Sequence, residues 1–132
     1  HNPNITPELN QLSNQSKLLD VLGPVSNMAQ ILWDHDVVIC SGGVTLHEAI
    51  SVGTPAFVIN QVEHQQTKAR FVEKSGAAIN LGMGNQHDVK KLREALDFKK
   101  HELELMSLKA KQLIDGRGVF RVIDAMNKLI EI

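Results

Sequence analysis

Two rhythms of apolar and polar residues run along the chain. Val37-Val38-Ile39-Cys40, Ala56-Phe57-Val58-Ile59 and Ala77-Ala78-Ile79-Asn80-Leu81 are short apolar runs rich in β-branched side chains. Such runs suit strands covered on both faces. Leu18-Leu19-Asp20-Val21-Leu22, closed by Gly23-Pro24, is a further strand candidate. Between these runs the spacing turns helical. One helix follows Gly42-Gly43 as far as Val52, stopped by Gly53 with Pro55 just beyond. Another starts near His64, carries Ala69, Phe71 and Val72 on an apolar side, and ends at Ser75-Gly76. Ser26 or Asn27 supplies a cap for a shorter helix through Met28, Ile31 and Leu32.

The last third is helical throughout. Val89, Leu92 and Leu96 form one stripe, Leu103, Met106, Ala110 and Leu113 a second, and Val119, Ile123, Met126 and Ile130 a third. Asp115-Gly116-Arg117-Gly118 separates the last two and reads as a helix break and restart. The first 16 residues are polar and rich in turn formers, with room for a short helix over 7–11. Strands alternating with helices at these intervals predict an α/β fold: a Rossmann-like three-layer domain with a parallel sheet and helices on both faces.

Composition narrows the functional classes. At 132 residues, with 42% hydrophobic and 22% charged residues, the chain is expected to be one globular domain, 1–132. A formal net charge of −1 offers no basic face for a nucleic acid. No apolar run reaches the roughly 20 residues that span a bilayer, so any membrane association is expected to come through a partner. One cysteine leaves no disulfide within the chain and points to a reducing, cytoplasmic setting. Residue 1 is His, not Met, which suggests a fragment or a processed piece.

In open parallel sheets, ligands bind beyond the carboxyl ends of the strands. That rule selects the loops after residues 40, 59 and 81, with 23–27 as a fourth. The second, Asn60-Gln61-Val62-Glu63-His64-Gln65-Gln66, is polar enough to line a site for a multi-hydroxyl ligand. The first, Ser41-Gly42-Gly43-Val44-Thr45, brings two glycines to a helix start, where free N–H groups and the helix dipole favour an anion. A competing reading exists. Thr45-x-x-Glu48 matches a capping box, in which Glu48 reaches back to the Thr45 N–H. Taken alone, the stretch favours the cap.

Neither G-x-G-x-x-G nor the Lys of a P-loop is present, so dinucleotide and P-loop binding are not indicated. The six histidines lack metal-ligand spacing, and no metal is expected. Cys40 reads as a small buried residue at a strand end. His64 is a weak candidate acid or base.

The run from Asp36 to Ala49, then Gly53-Thr54-Pro55, then His64-Gln65-Gln66, resembles the C-terminal half of GT-B nucleotide-sugar enzymes. The nearest likenesses are the N-acetylglucosaminyltransferase that completes lipid II and the UDP-sugar hydrolase of the pseudaminic acid pathway, with its spore-coat polysaccharide relatives. The resemblance covers about residues 18–81. An echo in 114–126 leans to the hydrolase group.

The resemblance implies that Ser41, Gly42, Gly43, Val44 and Thr45 hold the diphosphate of a UDP-sugar substrate. It implies that Glu48 accepts from the ribose hydroxyls and that Gln65 and Gln66 face the sugar, with Val25 to Met28 near the uracil; Asn60, at the head of the second loop, is a further candidate binding residue. No cofactor is implied, and no metal, because the helix N-terminus takes the charge of the leaving diphosphate. GT-B enzymes also have an N-terminal Rossmann-like domain that carries the acceptor side and the base. That domain is absent from this sequence, so the chain is expected to bind without catalysing alone. It would belong to a hydrolase or transferase or, alternatively, serve as the non-catalytic subunit of a split transferase. A purely structural α/β module is the third reading. Whether Glu48 serves the backbone or a ribose stays open.

Overall fold

The computed structural model describes residues 5–130. The turn-rich opening before Ile5 lies outside them. The chain runs α1 (Ile5–Gln15), α2 (Met28–Trp33), β1 (Val38–Cys40), α3 (Val44–Val52), β2 (Ala56–Asn60), α4 (Glu63–Ser75) and β3 (Ala78–Met83). Then follow α5 (Val89–Leu96), α6 (Lys100–Leu113) and α7 (Gly118–Ile130).

The three strands pair in the order β1-β2-β3, all parallel, with Val38 opposite Ala56 and Ala56 opposite Ala78. Each crossover is a helix, as parallel neighbours require. Two helix ends are set by glycines in the left-handed region: Gly53 at φ 86 closes α3 and Gly76 at φ 77 closes α4. The Asn27 side chain caps α2 by accepting from the Gln30 N–H at 3.1 Å.

Alternation along β2 divides the core in two. Ala56 and Val58 pack with Leu32, Leu46, Ala49, Ile50, Ala69 and Val72 on one face. Phe57 meets Leu81, Ala95 and Met106 on the other, with the Phe98 ring edge-on at 6.4 Å. The stripe on α6 is shared, Ala110 with the first cluster and Met106 with the second. This is the two-faced, three-layer α/β arrangement expected from the sequence.

Several expectations change. The run 18–22 is not a strand. A turn at Lys17-Leu18 precedes an irregular stretch, pinned by Ser13 Oγ donating to the Leu19 carbonyl, and Leu18 is fully exposed. A short apolar run carries no periodicity that separates strand from loop. In β1, Val38 and Cys40 pack inward while Ile39 is exposed, so this strand is covered on one face only. Phe71 lies outside the apolar side of α4, on its exposed surface. On α5, Val89 and Leu96 are exposed and Ala95 is the buried residue.

The N-terminal helix extends over Ile5–Gln15, longer than the sequence suggested. The helix α7 forms, but among the described residues it buries none of its side chains. Periodicity shows that a helix has an apolar face and does not say what covers it. The Asp115 segment is a break and restart. Its carboxylate accepts from the Arg117 N–H at 3.0 Å and pairs with Arg121 at 2.7 and 3.1 Å. The Arg121 guanidinium holds the Asp115 carboxyl down at about 2. No described helix is long and apolar enough to cross a membrane.

Candidate functional site at the carboxyl ends of the strands

The chain leaves β1 at Cys40, turns at Gly42-Gly43 and enters α3. The N-cap is Gly43, and no side chain caps the helix. That observation removes the capping-box reading of the stretch. A capping box needs Thr45 outside the helix as N-cap, whereas Thr45 is its second residue. Glu48 therefore lies one turn in, exposed, and among the described residues its carboxylate makes no hydrogen bond; only its backbone carbonyl accepts, from Ser51 Oγ at 2.7 Å. The capping box is not formed. Its absence leaves the first N–H groups of a nine-residue helix available to an anion.

The first turn of α4 closes over this glycine turn. A methyl group placed on Gly42 would sit 2.7 Å from the Gln65 carbonyl and 2.5 Å from Asn60 Oδ1, so only glycine fits. The Gln65 side chain spans the gap. Its Oε1 accepts from the Gln61 N–H at 2.8 Å, and its Nε2 would lie 3.6 Å from a methyl on Gly43. Ser41 Oγ would lie 3.5 Å from the same position. The structure thus brings Ser41, Gly42, Gly43 and Gln65 together, with Val44 exposed and Thr45 half-buried at the helix start. Gln66 is half-buried one residue further along α4, and His64 is exposed beside it. His47 Nδ1 lies 3.1 Å from the Gly43 carbonyl, which ties the α3 start to its own second turn.

Asn60 stands apart from the others. It is fully buried, donating from Nδ2 to Asn80 Oδ1 at 2.9 Å and to the Gly82 carbonyl at 3.0 Å. Its Oδ1 is buried without a partner among the described residues, an arrangement that costs about 1–3 kcal/mol. Behind it, the Asn80 N–H donates to Glu73 Oε1 at 3.0 Å, and Lys91 Nζ bridges Glu73 (2.6 Å) and the Asn80 carbonyl (2.8 Å). Sequence reading placed Gly82 in a strand-end loop and gave no role to Asn80, Glu73 or Lys91. The available signal was a polar Asn directly after an Ile in each of two apolar runs, Ile59-Asn60 at the end of β2 and Ile79-Asn80 inside β3.

Cys40 at the end of β1 is half-buried, and burial pushes its thiol from the usual 9.0 up to about 11. It is a packing residue, with its sulfur against the first core cluster. At pH 8 it is expected to react with a disulfide reagent about a hundredfold more slowly than a small free thiol, by thiolate fraction alone. A free-thiol rate, followed by absorbance, would contradict that environment. Because the folded value is the higher one, this group's contribution to stability falls as pH rises from about 9 towards 11.

A cleft of about 530 Å³ lies elsewhere, at the amino ends of β1 and β2. Thr54, Pro55, Leu103 and Lys111 line it, with the Lys111 ammonium 4.9 Å above the Trp33 ring. It shares no residue with the glycine turn, which is an open shelf.

A parallel α/β domain with a glycine turn and an uncapped helix at the carboxyl end of its first strand is a Rossmann-like arrangement. The chain belongs to the family described as the glycosyltransferase family 28 C-terminal domain, whose model matches residues 3–127. It thus corresponds to the C-terminal half of a GT-B fold. It is 34% identical over 109 residues to the spore coat polysaccharide biosynthesis protein SpsG of Bacillus subtilis (strain 168), covering 80% of this chain and 32% of that protein.

A second relative comes from Alkaliphilus metalliredigens (strain QYMF), the UDP-N-acetylglucosamine--N-acetylmuramyl-(pentapeptide) pyrophosphoryl-undecaprenol N-acetylglucosamine transferase. It is 34% identical over 86 residues, covering 61% of this chain and 24% of that enzyme. The chain therefore spans a third or less of the relatives it matches.

Proposed function

We propose that this domain binds the nucleotide diphosphate of a UDP-sugar, within a cytoplasmic enzyme of surface-polysaccharide or nonulosonic acid synthesis that transfers or hydrolyses the sugar. The observation that carries the proposal is the uncapped start of α3 behind Gly42-Gly43. The turn and the first helical N–H groups face the diphosphate, with Ser41 and Thr45 hydroxyls beside it. Glu48, free of any capping bond, accepts from the ribose hydroxyls. Gln65 and Gln66 address the sugar, and residues 25–28 lie by the uracil.

In the reaction the helix dipole and N–H groups stabilise charge as it develops on the departing diphosphate, which lowers the barrier to breaking the anomeric C–O bond. A group outside this chain, on an N-terminal domain or a partner chain, activates the acceptor hydroxyl or water. The relatives' greater length leaves room for that domain. The echo of the hydrolase group in 114–126 favours hydrolysis within this reading.

Glu48→Gln separates ribose recognition from folding. Its carboxylate holds no bond among the described residues, so the melting temperature is expected to stay within a degree or two. UDP affinity is expected to fall about tenfold, and pyrophosphate affinity to stay unchanged, by calorimetry. An equal loss for both ligands would remove Glu48 from the ribose.

A further inference from the structure

Asn60 is fully buried, so no ligand on the shelf reaches it without displacing Gly42. We infer that Asn60 is a positioning residue: its carboxamide props the Gly42 turn from beneath and so sets where the diphosphate N–H groups point. The inference rests on the nucleotide reading above and assigns Asn60 a role in it that involves no direct contact with the sugar.

Three observations carry it. Both Asn60 Nδ2 protons are committed, to Asn80 Oδ1 at 2.9 Å and the Gly82 carbonyl at 3.0 Å, which fixes the amide so that Oδ1 faces Gly42. The Asn80 amide is clamped in turn. Its Oδ1 also accepts from the Gly82 N–H at 3.1 Å, while its backbone is held by Glu73 at 3.0 Å and Lys91 at 2.8 Å. Asn60 of β2 is thus held by β3 directly, and α4 and α5 hold the Asn80 backbone behind it.

Finally, Asn60 Oδ1 is the one buried side-chain polar atom among the described residues without a partner, and it lies against Gly42. An acceptor bonded to the turn would draw its N–H groups inward. An unbonded one supports the turn and leaves those N–H groups facing out.

Backbone ¹⁵N relaxation and ligand binding of the labelled chain test this with Asn60→Ala. Order parameters at Gly42 and Gly43 should fall clearly without ligand, while those at the middle of α6 stay as they are. UDP and pyrophosphate affinities should fall by one common factor, about tenfold, and uridine affinity should not move. Unchanged order parameters at Gly42 and Gly43 would overturn the inference. So would a loss confined to UDP-sugar with pyrophosphate unaffected, which would make Asn60 a direct sugar ligand.

If Asn60→Ala does not fold, Glu73→Gln loosens the same clamp from its far end. It should lower the Gly42 order parameter and weaken pyrophosphate about threefold. No change in either would be equally fatal. A wild-type chain that binds neither UDP nor pyrophosphate would sink the nucleotide reading, while the ligand-free relaxation arm still decides the role of Asn60.

Discussion

Gly42→Ala is expected to reduce diphosphate binding at least a hundredfold and to lower the melting temperature by about 5–10 °C. The new methyl group would lie 2.5 Å from Asn60 Oδ1 and 2.7 Å from the Gln65 carbonyl. Neither neighbour is the loose end of a long side chain. Asn60 is held by two donated hydrogen bonds, and the Gln65 carbonyl is backbone in the first turn of α4. Overpacking of this kind costs about 1–3 kcal/mol, and relief requires the turn to lift away from α4. Lifting it redirects the N–H groups proposed to hold the phosphates, so binding is expected to suffer more than folding. Gly43→Ala is the control. Its methyl would meet only Ser41 Oγ at 3.5 Å and Gln65 Nε2 at 3.6 Å, ordinary contacts, so the fold should hold. Equal binding by wild type and Gly42→Ala would show that the turn does not face the ligand.

Phe57→Ala is expected to be the most destabilising single core change, at about 3–5 kcal/mol in urea unfolding. Phe57 is fully buried at the centre of β2, beside Leu81, Ala95 and Met106, with Phe98 edge-on. Its removal leaves a cavity between the sheet and the α5–α6 layer, and the sheet's two strand neighbours hold the backbone against collapse. A domain of ordinary stability, about 5–15 kcal/mol, would lose a third or more of it. Phe71→Ala on exposed α4 surface provides the comparison and should shift stability by less than about 0.5 kcal/mol. Similar losses at both positions would contradict the two-faced core.

The sheet was legible because β2 and β3 are buried on both sides and because glycines mark where helices must stop. Gly53 and Gly76 adopt the left-handed conformations that end α3 and α4. The grouping of the candidate site's loops was legible from topology alone, since parallel strands deliver their following loops to one end. Local chemistry was less informative. Thr45 and Glu48 have the spacing of a cap, yet the N-cap is Gly43, two residues earlier, and the helix buries Leu46, Ala49 and Ile50 in the core.

The Asn60–Asn80 pair joins residues 20 apart in sequence, and it lies at a shift of register between β2 and β3. Val58 pairs with Asn80 but Asn60 with Met83. No periodicity in the chain announces such a shift. That Leu18 to Leu22 forms no strand and that α7, which does form, lies uncovered among the described residues have a common reason: apolar residues show a tendency to be covered, and the covering surface is not written beside them.

The central claim is that the start of α3 holds the diphosphate of a nucleotide, and amide chemical shifts test it most directly. Titrating the ¹⁵N-labelled chain with UDP, pyrophosphate and uridine should move the amides of Gly42, Gly43, Val44 and Thr45 with the first two ligands and leave them still with the third. Shifts confined to the cleft residues around Trp33 and Lys111, or no shift at Gly42–Thr45 with millimolar UDP, would contradict the account.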